Sequence, residues 1–163
     1  QMVLAAIAAA GCLGVFLLGV AVGAHRRASL AAMLALALGA YWGLYALRAL
    51  PETLGATLLV WTFWAAFVQG RRPWLSLLVA ALACGFLPYG HTRFVPMSLM
   101  GIGWYGLMGL LGREAWPRKI GRLVLFTLLC AATYYLYYAI QRQLYGTSSY
   151  AVAALLFSYP MGG

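Results

Sequence analysis

Apolar residues fall in long unbroken runs, and the polar positions between them come in short, mostly basic clusters. The first run, residues 3–24, ends at His25, Arg26 and Arg27; the second, 28–47, ends at Arg48, with Pro51 and Glu52 just beyond. A third run, 53–68, stops at Gln69, Gly70, Arg71 and Arg72. The fourth, 73–87, breaks at residues 88–93 (PYGHTR), where proline and glycine together signal a turn. Residues 94–111 make the fifth run and 123–140 the sixth; between them, 112–122 is the most polar stretch and is predicted to be a solvent-exposed or headgroup-level loop. A short apolar stretch, 150–160, follows a polar segment at 141–149. Runs of this kind exclude a transmembrane β-barrel and a disordered tail. Since about 20 apolar residues cross a hydrocarbon core roughly 30 Å thick, the pattern predicts an all-α integral membrane protein. It would have about six transmembrane helices joined by short loops and a partial seventh at 150–160, in a single transmembrane helical domain over residues 1–163.

Composition agrees: 65% of the residues are hydrophobic and 8% charged, with a mean hydropathy of +0.88, leaving almost no soluble domain. The net charge of +9 comes from eleven Lys or Arg against two acids. In so apolar a chain a basic excess points to cytoplasmic loops, not to a nucleic-acid footprint, and no nucleic-acid partner is expected. If the six runs alternate in direction, the turns after runs one, three and five hold Arg26, Arg27, Arg71, Arg72, Arg113, Arg118, Lys119 and Arg122, eight charges against Arg48, Arg93 and Arg142 on the other side. The positive-inside rule then sets the first group in the cytoplasm of a multi-pass plasma (inner) membrane protein. The tyrosines at 134, 135, 137, 138, 145 and 150, with Trp74 and Trp116, read as interfacial belts. Gly19 with Gly23 and Gly39 with Gly43 have the G-x-x-x-G spacing of closely packed helices. Cys12, Cys84 and Cys130 lie far apart in apolar runs and read as small packing residues. The chain opens with Gln1, lacks a signal-peptide pattern and reads as an internal part of a longer protein.

Chemistry is sparse. The only carboxylates, Glu52 and Glu114, fall on opposite faces, so no acid–base pair forms within the chain, and no nucleophile elbow, phosphate loop or zinc motif is present. Whether the chain belongs to an enzyme is therefore left open. What remains is a polar set on the outer face. Arg48 and Glu52 are four positions apart, and His91 and Arg93 sit in the next outer loop. Together they suit a phosphate or pyrophosphate lipid headgroup, because Arg grips phosphate oxygens through paired N–H donors. Each residue also has a plainer reading: arginines snorkel to the interface, Glu52 complements the dipole of the helix it starts, and a loop histidine is solvated. The basic cluster at 113–122 fixes topology and touches anionic lipid.

In order, these features resemble the middle of a GT-C membrane glycosyltransferase that uses polyprenyl-phosphate sugars. The likeness rests on HRRASLAAMLALALGAYWGLYALRALPETL at 25–54 and on RRPWLSLLVAALACGFLPYGHTRFVPMSLMGIGWYGLMGLL at 71–111. The basic stretch and span at 118–140 and the polar YGTSS at 145–149 complete it. The resemblance implies transfer of a sugar from a polyprenyl-phosphate carrier, in many members with a divalent cation. It implies that Arg48 and Glu52 lie near the lipid phosphate or metal, with His91 or Arg93 bordering the cavity. The catalytic acid of that family, in its first outer loop, has no counterpart here and would precede Gln1. Two other classes compete. A non-catalytic integral subunit, packing against other membrane subunits in a redox, photosynthetic or transport complex, fits the shortage of acids. A small transporter needs intramembrane ionisable groups or interrupted helices, and only the break at Pro88 resembles one.

Overall fold

The computed structural model describes residues 2–39, 51–90 and 94–145, and among these the chain is all-helical. Six helices follow in order: α1 (Met2–Ala21), α2 (Arg26–Leu38), α3 (Pro51–Val68), α4 (Pro73–Gly90), α5 (Val95–Leu111) and α6 (Trp116–Tyr145). The apolar stretch at 150–160 lies outside the described residues.

Four boundaries differ from the sequence reading. Helix α2 ends at Leu38, capped by Gly39, instead of running to residue 47, and α6 continues to Tyr145, past 140. The other two are the end of α4 and the start of α6. Helix α4 runs through Pro88 to Gly90 instead of breaking there. Proline removes the N–H that would bond the carbonyl four residues back, which here belongs to Cys84; the Ser98 hydroxyl of α5 donates to that same carbonyl at 2.6 Å and takes the missing place. Helix α6 begins at Trp116, so most of the polar stretch 112–122 is its first two turns, not a loop. Pro117 suits a first helical turn, where its absent N–H would have no partner anyway. At 30 residues this helix is about 45 Å long at 1.5 Å per residue.

Specific contacts settle the directions. Thr57 donates to the Ile7 carbonyl at 3.3 Å and the Trp61 indole to that of Ala10 at 3.2 Å, so α1 and α3 run parallel. Ser76 donates to the Ala65 carbonyl at 2.7 Å while Thr62 meets Cys84 at 3.6 Å, which makes α4 antiparallel to α3. Helix α5 returns antiparallel to α4, with Ser98 against Cys84 and Tyr105 against Ser76. Helix α6 reverses again, with the Tyr105 and Phe126 rings 4.4 Å apart and Lys119 bonded to the Leu110 carbonyl. Helix α2 folds back on α1 after a turn at Gly23, whose φ of 91° favours glycine, and Ser29 packs on Gly19. The turns after α1, α3 and α5 therefore share one end of the bundle.

The core is Trp64, Ala65, Ala80, Ala81, Cys84, Tyr105, Phe126 and Cys130, with small residues admitting the large rings. All three cysteines are buried. Glycines allow close approach, though not as the G-x-x-x-G pairs suggest: a Cβ on Gly14 would stand 2.8 Å from Val60, on Gly55 2.7 Å from the Phe94 ring and on Gly101 3.0 Å from Thr62. Gly23 is a turn residue with open space around it, and Gly43 lies outside the described residues. Polar side chains are folded inward, Ser29, Thr53, Thr57, Thr62, Gln69, Ser76 and Ser98 all being buried, whereas Leu78, Leu82, Phe86, Leu99, Met100, Val124, Leu128 and Leu136 face out. Among the described residues two helical stretches, Met2–Ala21 and Trp116–Ile140, are long and apolar enough to cross a membrane; Glu52–Val68, Pro73–Tyr89 and Val95–Leu111 are shorter apolar helices.

Candidate functional site

Of the four residues singled out for a headgroup site, Glu52 is described; Arg48, His91 and Arg93 lie outside the described residues. Glu52 sits half-buried in the first turn of α3, behind Pro51. A carboxylate there is stabilised by the partial positive charge of the helix N-terminus, and proline at the start is pre-set for helical φ. One turn on, Gly55 lets the Phe94 ring, buried at the entry to α5, press against the α3 backbone. The beginnings of α3 and α5 thus meet at the end of the bundle opposite the basic turns. Their contact brings together the starts of the helices that follow Arg48 and Arg93 in the sequence.

An apolar groove of about 450 Å³ leads toward this end between α3 and α4. Leu54, Leu58 and Trp61 line one wall, at helical spacing, and Val79, Leu82, Ala83, Phe86 and Tyr89 the other. Leu54 is two residues from Glu52, and Tyr89, whose hydroxyl donates to the Thr133 carbonyl at 3.0 Å, stands at the same end. The groove has almost nothing polar in its walls, so its surface suits apolar contact.

The tyrosines of α6 divide by face. Tyr135 and Tyr138 are exposed, but Tyr137 is buried with its ring 4.9 Å from that of Tyr89. Trp74 and Trp116 are exposed at the basic end.

That basic end holds an arrangement the sequence reading missed. Glu114 is ion-paired with Arg122, whose side chain is 10% exposed and whose guanidinium also reaches the Gln69 carbonyl at 3.5 Å. Gln69 in turn donates to the Tyr105 carbonyl at 2.9 Å, linking the α3–α4 and α5–α6 turns. Lys119 is 7% exposed; its Nζ donates to the Leu110 carbonyl at 2.8 Å and lies 5.0 Å from the Trp116 ring centre, a cationic cap on the end of α5. A polar residue closing an apolar run, as Gln69 does, was the available signal; the eight-residue spacing of Glu114 and Arg122 carries none, because a turn separates them.

Among the described residues no group of three or more His, Cys, Asp or Glu side chains comes together. Glu52 is the single described carboxylate at its end of the bundle, so the described donors do not make a cation cage. Comparison with known proteins finds no matching family, no similar curated protein and no similar solved structure.

Proposed function

We propose that this chain is the membrane-embedded portion of a glycosyltransferase that moves a sugar from a polyprenyl-phosphate carrier, with the carrier phosphate bound at the outer end of the bundle by Arg48, Glu52, His91 and Arg93. In this reading the six runs cross a plasma (inner) membrane alternately, with the arginine-dense turns in the cytoplasm. Four observations support the membrane assignment: alternating helix directions, leucines facing out, hydroxyls folded in, and basic turns gathered at one end. Helices of 17–18 residues reach about 26 Å, close to the thickness of a hydrocarbon core.

The observation that carries the functional reading is the apolar groove between α3 and α4 beside Glu52. A lipid-linked sugar has a hydrocarbon tail and a charged head, and a chemically dry groove ending near a polar cluster separates the two in the same way. The arginines would hold the phosphate oxygens and lower the cost of charge leaving with the carrier phosphate. Glu52 would orient the arginine next to it or a sugar hydroxyl.

The test is sugar transfer from a radiolabelled polyprenyl-phosphate donor in membranes carrying the whole protein. Arg48→Ala and Glu52→Ala should each lower transfer about 10-fold or more, the size expected for losing a charge-assisted hydrogen bond, with membrane levels unchanged. Full transfer by both variants overturns the reading. A second reading, a non-catalytic membrane subunit, is favoured by the commitment of Glu114 to Arg122, which leaves one other acid in the chain. It predicts co-purification with partner subunits at fixed stoichiometry and indifference to both substitutions.

A further inference from the structure

The basic end of the bundle, away from the proposed phosphate site, is electrostatically unbalanced. The starts of α2, α4 and α6 are all there, so three helix dipoles present their positive poles together. Arg26 and Arg27 open α2, Arg71 and Arg72 precede α4, and Arg118 and Lys119 lie in the first turn of α6. Each is where a basic side chain opposes the dipole. Glu114 is the one carboxylate at this end among the described residues, and Arg122 neutralises it.

A cleft opens within this field between α4 and α6. It measures about 590 Å³ and is lined by Pro73 and Trp74 from α4, Glu114 from the turn, and Arg118, Gly121, Arg122 and Leu125 from α6. The α6 residues recur at intervals of three and four and so share one helix face. Gly121 makes the space: a Cβ there would meet nothing within 4 Å. Its chemistry is graded along the helix. Arg118 is at the top, exposed; Leu125 is seven residues, about 10 Å, further along the axis. Trp74 is exposed at the cleft edge, and Trp116 is exposed one turn before Gly121, the side-chain type that settles at headgroup depth.

We infer that this cleft binds one anionic phospholipid, its phosphate on Arg118 and its glycerol and first acyl carbons over Gly121 and Leu125. Lys119 is spent on the Leu110 carbonyl and Arg122 on Glu114, so Arg118 and the helix N-termini carry the attraction. The Glu114–Arg122 pair acts as a polar wall with no net charge. The apolar floor favours a lipid phosphate over a free one. The proposal rests on the membrane assignment above but not on sugar transfer.

Native mass spectrometry of the purified whole protein, equilibrated in detergent with equal phosphatidylglycerol and phosphatidylcholine, tests it. The wild type should retain phosphatidylglycerol preferentially. Arg118→Gln should cut that preference about 5-fold, the effect of one interfacial charge. Gly121→Leu, whose side chain enters open space, should cut it at least as far with thermal unfolding unchanged. Arg27→Gln, which removes an equal charge from α2 outside the cleft, and Glu52→Ala should both keep the preference, the latter whether or not sugar transfer survives. The proposal is overturned if Arg27→Gln acts as strongly as Arg118→Gln, if Gly121→Leu has no effect, or if excess inorganic phosphate displaces the lipid.

Discussion

Pro88 has no N–H to offer the Cys84 carbonyl, and in a buried helix an unmet carbonyl costs about 1–3 kcal/mol. The Ser98 hydroxyl, 2.6 Å away on the next helix, meets it. Ser98→Ala should therefore destabilise by about that amount, while Pro88→Ala, which restores the helical N–H, should make the loss of Ser98 much milder. Thermal unfolding of the two single variants and the double variant in detergent measures this; additive effects would show that the two sites are independent. Glycines divide in the same residue-specific way. At Gly85 a Cβ would fall onto the β-branched Thr133 side chain of α6, whereas at Gly103 it would meet nothing within 4 Å. Gly85→Ala should lower stability by about 1–3 kcal/mol, because two backbones must part, and Gly103→Ala, inside α5 with room for its methyl, should leave stability unchanged or raise it by up to about 1 kcal/mol. None of this follows from spacing in the sequence: Gly19 and Gly23 have the helix-packing pattern, yet only Gly19 packs.

At the scale of elements, the first, third and fifth apolar runs coincide closely with their helices, whereas α2 stops nine residues short of its run and α6 starts seven residues before its own. Runs one, three and five correspond to α1, α3 and α5 within about three residues at each end, the usual scatter of helix ends. Disagreement came where a local signal met a non-local partner. The turn expected at Pro88 does not form there, because Ser98, ten residues downstream, completes the Cys84 carbonyl once α5 has docked. The stretch at 112–122 was legible as polar but not as helical, because Arg118, Lys119 and Arg122 spend their polarity on partners in other elements or at the bundle surface. Of the candidate site, the position of Glu52 in a first helical turn was readable from Pro51-Glu52, while the groove next to it was not. A groove is a property of two facing walls, and the pairing of the 54–61 wall with the 79–89 wall is decided by packing.

For the molecule as a whole, the alternation of helix directions gathers the turns after α1, α3 and α5 at one end. Site-directed labelling with a membrane-impermeant maleimide reads its consequence for the proposed orientation. The native thiols Cys12, Cys84 and Cys130 are buried, so the wild-type protein should not label in sealed vesicles from either face. Gly70→Cys and Arg113→Cys, both at exposed turn positions, should label from the cytoplasmic face, and Arg142→Cys, exposed in the last turn of α6, from the opposite one. Labelling of Gly70→Cys and Arg142→Cys from the same side would remove the basis for an outer headgroup site.

Helix class, the positions of α1, α3 and α5 and the asymmetric distribution of arginines were determined by the sequence alone, because each depends on residues close together along the chain. A long apolar run satisfies its own backbone only as a helix, and a basic turn is basic in any fold. The tertiary structure decided which carbonyl Ser98 completes, which glycines touch a neighbour, where Glu114 finds its arginine, and that two clefts of opposite character open at the two ends. These depend on distances between residues far apart in the chain, which close packing sets and local pattern does not encode.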